Sequence, residues 1–587
     1  MRGGRKRPAP SLAMGRILAM ALLLLAGLAA VGSGTAEATR ALSVHSPRPE
    51  TGRSDDARGP RAASSKQTFA ITPSVRAEVS LDKAFGLCLQ DAETGEDIVC
   101  TTTSSAVETG EWVGINLQKY IYEGYSLRIG KVLWRSKSMG VQKDSMSYTS
   151  SSDDVGATGE ARGGTLTFDI LLSKSYFEDG APARPSSWNA TTAAAAAAAS
   201  FWPWPSHVEV ARVSISRASP AYESAVVLRV ASRAGNRITV RAAARDAGEK
   251  VFGLGERFSS SNQRGNRLYC WAEDGGWSLG PFKRFPKGKE TTYMPVPFMV
   301  SSRGHGIWLN TTRRTDWDLD SSGAGYYAME VEDDSLDMVV ITEKTPARTL
   351  EVFTGLTGRS LVPPKFQFGP WNNFFNEFDH HTSAQAQAKK FVDLDIPSSV
   401  TDYAIHFLPR GGGVVPSSIS AATSYLSSLG IASLAYFNSM VDSAYADVYS
   451  EAKREGLFIE NKRKEVWDFY YKGAKEVFKV GLLDFTNPKT PPLFASLLDN
   501  STRLGFRGFM LDYGEYVDPS MRFHDGTTGE ETHNAYPMQY QSAAFDYFTS
   551  LNPKDEVGGG DGGDGGTYAP PYVFYVRSGY AGTAGKT

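Results

Sequence analysis

The stretch that most restricts the fold is Gly505-Phe506-Arg507-Gly508-Phe509-Met510-Leu511-Asp512-Tyr513-Gly514-Glu515-Tyr516. It reads as a short buried strand, Gly508 to Leu511, that delivers the Asp512 carboxylate to the point where the apolar run ends and a polar loop begins. An α/β barrel places its chemistry at that end of a strand. Glu515 follows three residues later, and Tyr513 and Tyr516 offer flat surfaces for a sugar or another ring. Taken alone, the same pattern also suits an aspartate that merely caps the next helix.

The chain changes character at Pro363-Pro364. From about Thr68 to Leu350, short β-branched and aromatic runs alternate with Gly, Asp and Ser clusters, as in Thr165–Leu172, Ala225–Val230 and Met338–Ile341. That pattern predicts an all-β sandwich over 67–362. Beyond the prolines, strands alternate with helical stretches, which predicts βα units and a parallel sheet over 363–587. Strands are expected at Phe366–Trp371, Thr401–Phe407, Ala432–Asn438, Gly508–Leu511 and Tyr572–Arg577. Helices are expected at Ser383–Val392, Ser417–Leu429, Pro492–Arg503 and Met538–Thr549. These strands amount to about five of the eight of a (β/α)8 barrel. The alanine tract Ala193–Ala199 and the glycine-rich run Gly558–Gly566 read as insertions in loops.

Several motifs together resemble glycoside hydrolase family 31, which contains α-glucosidases, α-xylosidases and sulfoquinovosidases. They are Gly481-Leu482-Leu483-Asp484-Phe485-Thr486-Asn487-Pro488, the Asp512 stretch, Thr532-His533-Asn534-Ala535-Tyr536-Pro537 and Phe574-Tyr575-Val576-Arg577-Ser578-Gly579. In the sandwich, Gly253-Leu254-Gly255-Glu256-Arg257-Phe258 and the later Trp271-Ala272-Glu273-Asp274 resemble the same family's N-terminal domain. The Asp512-Tyr513-Gly514-Glu515 form is most like the sulfoquinovosidase branch. The resemblance implies a retaining α-glycosidase in which Asp512 attacks the anomeric carbon and Glu515 supports it by hydrogen bonding. Such chemistry needs a second carboxylate about 5 to 5.5 Å away to donate a proton. The resemblance also implies substrate contacts from Arg577, from His533, which either binds sugar or braces its loop, and from Asp274 or Trp271 on a loop reaching over the barrel. Arg410 is a candidate for an anionic sugar substituent, since a guanidinium suits bidentate anion binding, and otherwise a solvated loop residue. No segment like the family's W-x-G-D, which bears the acid/base aspartate, occurs before Thr587, so the chain resembles a truncated form. The alternative is a secreted carbohydrate-binding or regulatory protein that has lost catalysis.

Composition limits the partners. Sixty-two basic against 64 acidic residues leave no global field for nucleic acid or an anionic membrane, whereas a carbohydrate is compatible. The basic start, the apolar run Ile17–Val31 and the small residues ending in Ala36-Glu37-Ala38 form a secretory signal peptide over 1–38, with an uncleaved membrane anchor as the alternative. A linker over 39–66 follows, readable also as the second half of a plastid-targeting signal. Secretion fits the sequons at Asn189, Asn310 and Asn500. Of three cysteines, Cys88 and Cys100 flank a turn and are either bridged or free, and Cys270 is left over. No metal-site spacing is present and no cofactor is expected.

Overall fold

The computed structural model describes residues 66–80, 86–100, 113–123, 126–150, 163–178, 181–182, 208–233, 235–274, 290–374, 382–406, 416–472, 477–551 and 572–586. These fall in one compact unit, 63–587. The expected signal peptide and the expected linker up to residue 65 lie outside the described residues, as do the alanine tract, Asn189, Arg410 and the glycine-rich run.

The N-terminal half is built from antiparallel sheets. Strands Lys66–Thr72, Val75–Ser80, Gly86–Asp91 and Asp97–Cys100 form one sheet, and a 14-stranded sheet runs from Val113 to Ile341. In Thr315–Leu319 and Tyr326–Val331 every second residue is buried, because successive strand side chains point to opposite faces. Ile71, Val79 and Leu89 of the small sheet share a core with Phe168, Leu228, Val240 and Trp317 of the large one. Cys88 pairs across the ladder with Cys100 and is disulfide-bonded to it, which settles the open choice at that turn. Helix Pro346–Thr357 follows, capped by the Thr345 side chain, with Phe353 stacked on Phe298.

The C-terminal half carries a parallel sheet of four strands in the order Val400–His406, Ala432–Asn438, Gly508–Asp512 and Val573–Val576. Helices Thr382–Asp393, Pro416–Ser428, Thr490–Thr502 and Tyr536–Leu551 alternate with them. Pro491 and Pro492 open the third helix at the position where a missing amide costs nothing. The expected strand Phe366–Trp371 is not formed. Lys365–Phe368 is a single 3-10 turn, and only Trp371 bridges to Val400. Pro370 supplies a carbonyl to Ser399 but has no amide to continue a ladder. A three-stranded antiparallel sheet, Met440–Asp442, Asp468–Lys472 and Val477–Leu482, is inserted after the second parallel strand together with helix Ala446–Arg454. This insertion was not anticipated. Among the described residues no helix is long and apolar enough to cross a membrane.

Candidate active site

Strand Gly508–Asp512 is buried along nearly its whole length, as a central strand of a parallel sheet must be. Its register places Leu511 opposite Val576 and Asp512 opposite Asn438. The residues that follow on two neighbouring strands, Asp512 and Arg577, therefore emerge side by side. Immediately after Asp512 the backbone turns through left-handed conformations, φ 64° at Tyr513 and 119° at Gly514. After that reversal Glu515 is buried against Arg577. For tyrosine the conformation costs free energy, and surrounding contacts must hold it. They are present: the Tyr540 hydroxyl lies 3.1, 3.0 and 3.0 Å from the carbonyls of Leu511, Asp512 and Tyr513, and the Ser578 hydroxyl donates to Tyr513 O. Gln541 in turn donates to Ser578 O at 2.7 Å.

Around this turn three carboxylates surround one guanidinium. Arg577 Nε lies 3.0 Å from Asp512 Oδ1 as an ion pair without hydrogen-bond alignment. Its Nη2 donates to Glu515 Oε1. Burial disfavours the Arg577 charge, but Glu515 and Asp512 outweigh it and hold the group above the ordinary arginine range. The guanidinium also lies 4.6 Å from the Tyr513 ring centre and 4.8 Å from that of Tyr293. Glu515 is wholly buried, and burial pushes its carboxyl up to about 7 against the pull of Arg577. Its second oxygen, Oε2, has no hydrogen-bond partner among the described residues. Asp512 receives the Tyr436 hydroxyl on Oδ2 and the Tyr513 amide on Oδ1 at 2.8 Å. The third carboxylate, Asp274, comes from the sandwich. It accepts from the Tyr516 hydroxyl and, at 3.0 Å, from the Tyr293 hydroxyl.

The structure thus gathers Asp512, Glu515, Arg577 and Asp274, but it places two other candidates elsewhere. His533 and Trp271 are both fully buried and stacked on each other, with ring centres 3.7 Å apart. Both His533 nitrogens face backbone carbonyls at 2.7 Å, Nδ1 toward Val517 and Nε2 toward Ala272. Neither ring has surface left for a sugar, so of the two roles read for His533 only bracing matches its contacts. Burial pulls its imidazole down to about 4, although the two carbonyls favour the cation. Asp484 accepts from the Thr486 amide and hydroxyl and from the His524 amide, holding the loop after its strand. Arg410 lies outside the described residues. Sequence reasoning missed Tyr436, Tyr540, Tyr293 and Ser578. The available signal for Tyr436 was a polar-tipped aromatic in the otherwise apolar strand Ala432–Asn438, and the others carried none.

A β-sandwich extends a carboxylate to the C-terminal strand ends of a parallel α/β sheet, where two further carboxylates meet an arginine; the architecture is a sandwich followed by an α/β barrel domain. The chain belongs to glycosyl hydrolase family 31: residues 360–585 match the glycosyl hydrolases family 31 TIM-barrel domain, and 227–318 match the glycosyl hydrolase 31 N-terminal galactose mutarotase-like domain. It is 27% identical over 323 residues to an α-xylosidase of Emericella nidulans, covering 52% of this chain and 39% of the relative. It is 21% identical over 370 residues to the sulfoquinovosidase of Escherichia coli, covering 59% of this chain and 51% of the relative. The chain therefore spans about half or less of the length of these curated relatives. Among solved structures it resembles a family 31 sulfoquinovosidase from E. rectale in complex with the aza-sugar inhibitor IFGSQ, with TM-score 0.60, 16% identity, and coverage of 86% of this chain and 67% of that one. At that identity the structural match speaks for the fold alone.

Proposed function

We propose that the protein hydrolyses α-glycosides with retention, Asp512 acting as the nucleophile. One Asp512 oxygen bonds to the anomeric carbon as the bond to the leaving oxygen breaks; that oxygen takes its proton from a second carboxylic acid, which then takes a proton from the water that cleaves the glycosyl ester. The observation that carries this reading is the Asp512–Arg577–Glu515 arrangement at a strand end. Asp512 closes the strand, and its two oxygens are held by groups that can shift to a sugar. Glu515 fixes Arg577 with one oxygen and so keeps the guanidinium beside Asp512. Asp274 and its two tyrosines supply further hydroxyl contacts. The sugar class we assign is an α-glucoside or a sulfoquinovoside, the relatives in sequence including an α-glucosidase and a sulfoquinovosidase.

The test is trapping with a 5-fluoro-α-glycosyl fluoride, followed by peptide mapping. Fluoride departs with little need of a proton donor, so the outcome depends on the nucleophile. A label on Asp512 supports the reading, and a label elsewhere or no label overturns it. Turnover of an aryl sulfoquinovoside set against the matching aryl α-glucoside then assigns the sugar.

A further inference from the structure

Strand Arg267–Cys270 of the sandwich continues through Trp271 and Ala272 to Asp274, the residue that reaches the carboxylate cluster. Between strand and carboxylate, three backbone groups of this segment are held by two consecutive side chains of the other domain. Asn534 Oδ1 accepts the Ala272 amide at 2.9 Å, and Asn534 Nδ2 lies 3.3 Å from Cys270 O. His533 Nε2 lies 2.7 Å from Ala272 O and Nδ1 2.7 Å from Val517 O, and the neutral ring donates to one of the two. The Trp271 indole covers the imidazole with ring planes 5° apart. Trp271, Ala272, His533 and Asn534 are all fully buried. Buried polar side chains are costly unless each hydrogen bond is made, and here those bonds cross from one domain to the other. Two residues past Ala272, Asp274 meets Tyr516, which stands one residue after Glu515.

We infer that His533 and Asn534 are positioning residues that clasp residues 270–272 of the sandwich onto the barrel and thereby hold Asp274 over the strand end bearing Asp512 and Glu515. The role in catalysis rests on the proposed glycosidase reading. The clasp itself does not. Thr312, which donates to Glu531 O at 3.1 Å, and Arg313, which lies 3.1 Å from Glu531 Oε1, pin the same barrel segment to the sandwich a short way off. Loss of the clasp therefore loosens the Asp274 loop without separating the domains.

The test compares wild type, Asn534→Ala, Asp274→Asn and the double variant in the full chain by two readouts. In hydrogen exchange, Asn534→Ala is expected to raise exchange of the Ala272 amide at least about tenfold, with strands Tyr222–Ala231 and Gly508–Asp512 unchanged. In turnover of an aryl α-glycoside, each single variant is expected to lower kcat/KM by about ten- to a hundredfold, the scale set by a small misplacement of a positioned group. The double variant is expected to be no worse than the poorer single one, since a residue acting through Asp274 has nothing left to act on. Unchanged exchange at Ala272 overturns the clasp. Losses that multiply in the double variant overturn the positioning role, because a merely structural residue damages the enzyme with or without Asp274. If Asn534→Ala does not fold, Asn534→Ser, whose shorter side chain also loses the Ala272 amide, is measured instead with the same outcomes deciding. A wild-type chain that neither turns over the aryl glycoside nor takes the fluoro-sugar label on Asp512 overturns the glycosidase reading and leaves exchange to decide the clasp.

Discussion

Glu515 lets the electrostatics of the site be read from stability alone. Its carboxyl is pushed from an ordinary 4.5 up to about 7, chiefly by burial, and the side chain has no exposed surface over which water could screen it. The folded protein therefore binds this proton more tightly than the unfolded chain does. Below pH 4.5 the group is protonated in both states, and its contribution to stability is complete. As the pH rises toward 7 the unfolded chain releases the proton first, so that contribution is lost. The span of about 2.5 pH units at about 1.36 kcal/mol each gives roughly 3 kcal/mol. Glu515→Gln cannot lose a proton there. Wild-type stability minus that of Glu515→Gln is thus expected to fall by about 3 kcal/mol between pH 4.5 and pH 8. Urea titrations followed by tryptophan fluorescence at several pH values measure it. Other groups, such as Glu332, which burial pushes up to about 8, titrate in both proteins and cancel in the difference. The attraction of Arg577 for the ionised Glu515 is already contained in that value of about 7. A difference that stays flat across this range, or rises with pH, refutes the assignment of Glu515 as a buried carboxyl held near neutrality.

Three further outcomes are expected. Tyr436→Phe removes a hydroxyl that donates to Asp512; a hydrogen bond to a charged group is worth about 1.5–3 kcal/mol, so kcat/KM on an aryl α-glycoside should drop roughly ten- to a hundredfold while the melting temperature changes little. Gly514→Ala puts a Cβ 2.7 Å from Ser578 Oγ at a φ of 119°, and a loss of about 1–3 kcal/mol in urea unfolding is expected. Reduction of the Cys88–Cys100 bridge, or its replacement by serines, opens a loop of sequence separation 12 and should lower stability by about 2–3 kcal/mol, read as a lower melting temperature with reductant.

Much of the second half of the chain was legible because its signals are local. Apolar runs of strand length ending in a polar loop gave Ala432–Asn438 and Gly508–Asp512 within a residue of their bounds. The proline pair at the start of Thr490–Thr502 and the periodicity of Tyr536–Leu551 located helices in the same way. Where an apolar run contained Pro370, the local signal misled: the missing amide left a turn and one bridge in place of a strand. The small antiparallel sheet after Asn438 escaped notice because its short strands pair with one another and depend on that pairing for stability.

By itself the sequence determined that a carboxylate would close a buried strand at Asp512 and that a sandwich would precede a parallel sheet, since both follow from spacing along a few residues. Only the tertiary structure decided which groups surround that carboxylate. Arg577 meets Glu515 across 62 positions, and Tyr516 meets Asp274 across 242. The same long-range packing turned Trp271 and His533 inward as a stacked pair rather than toward a ligand. Strand and helix patterns are fixed by neighbours in the chain, whereas burial and pairing of charged groups depend on which strands lie side by side, and that register is set by the fold as a whole.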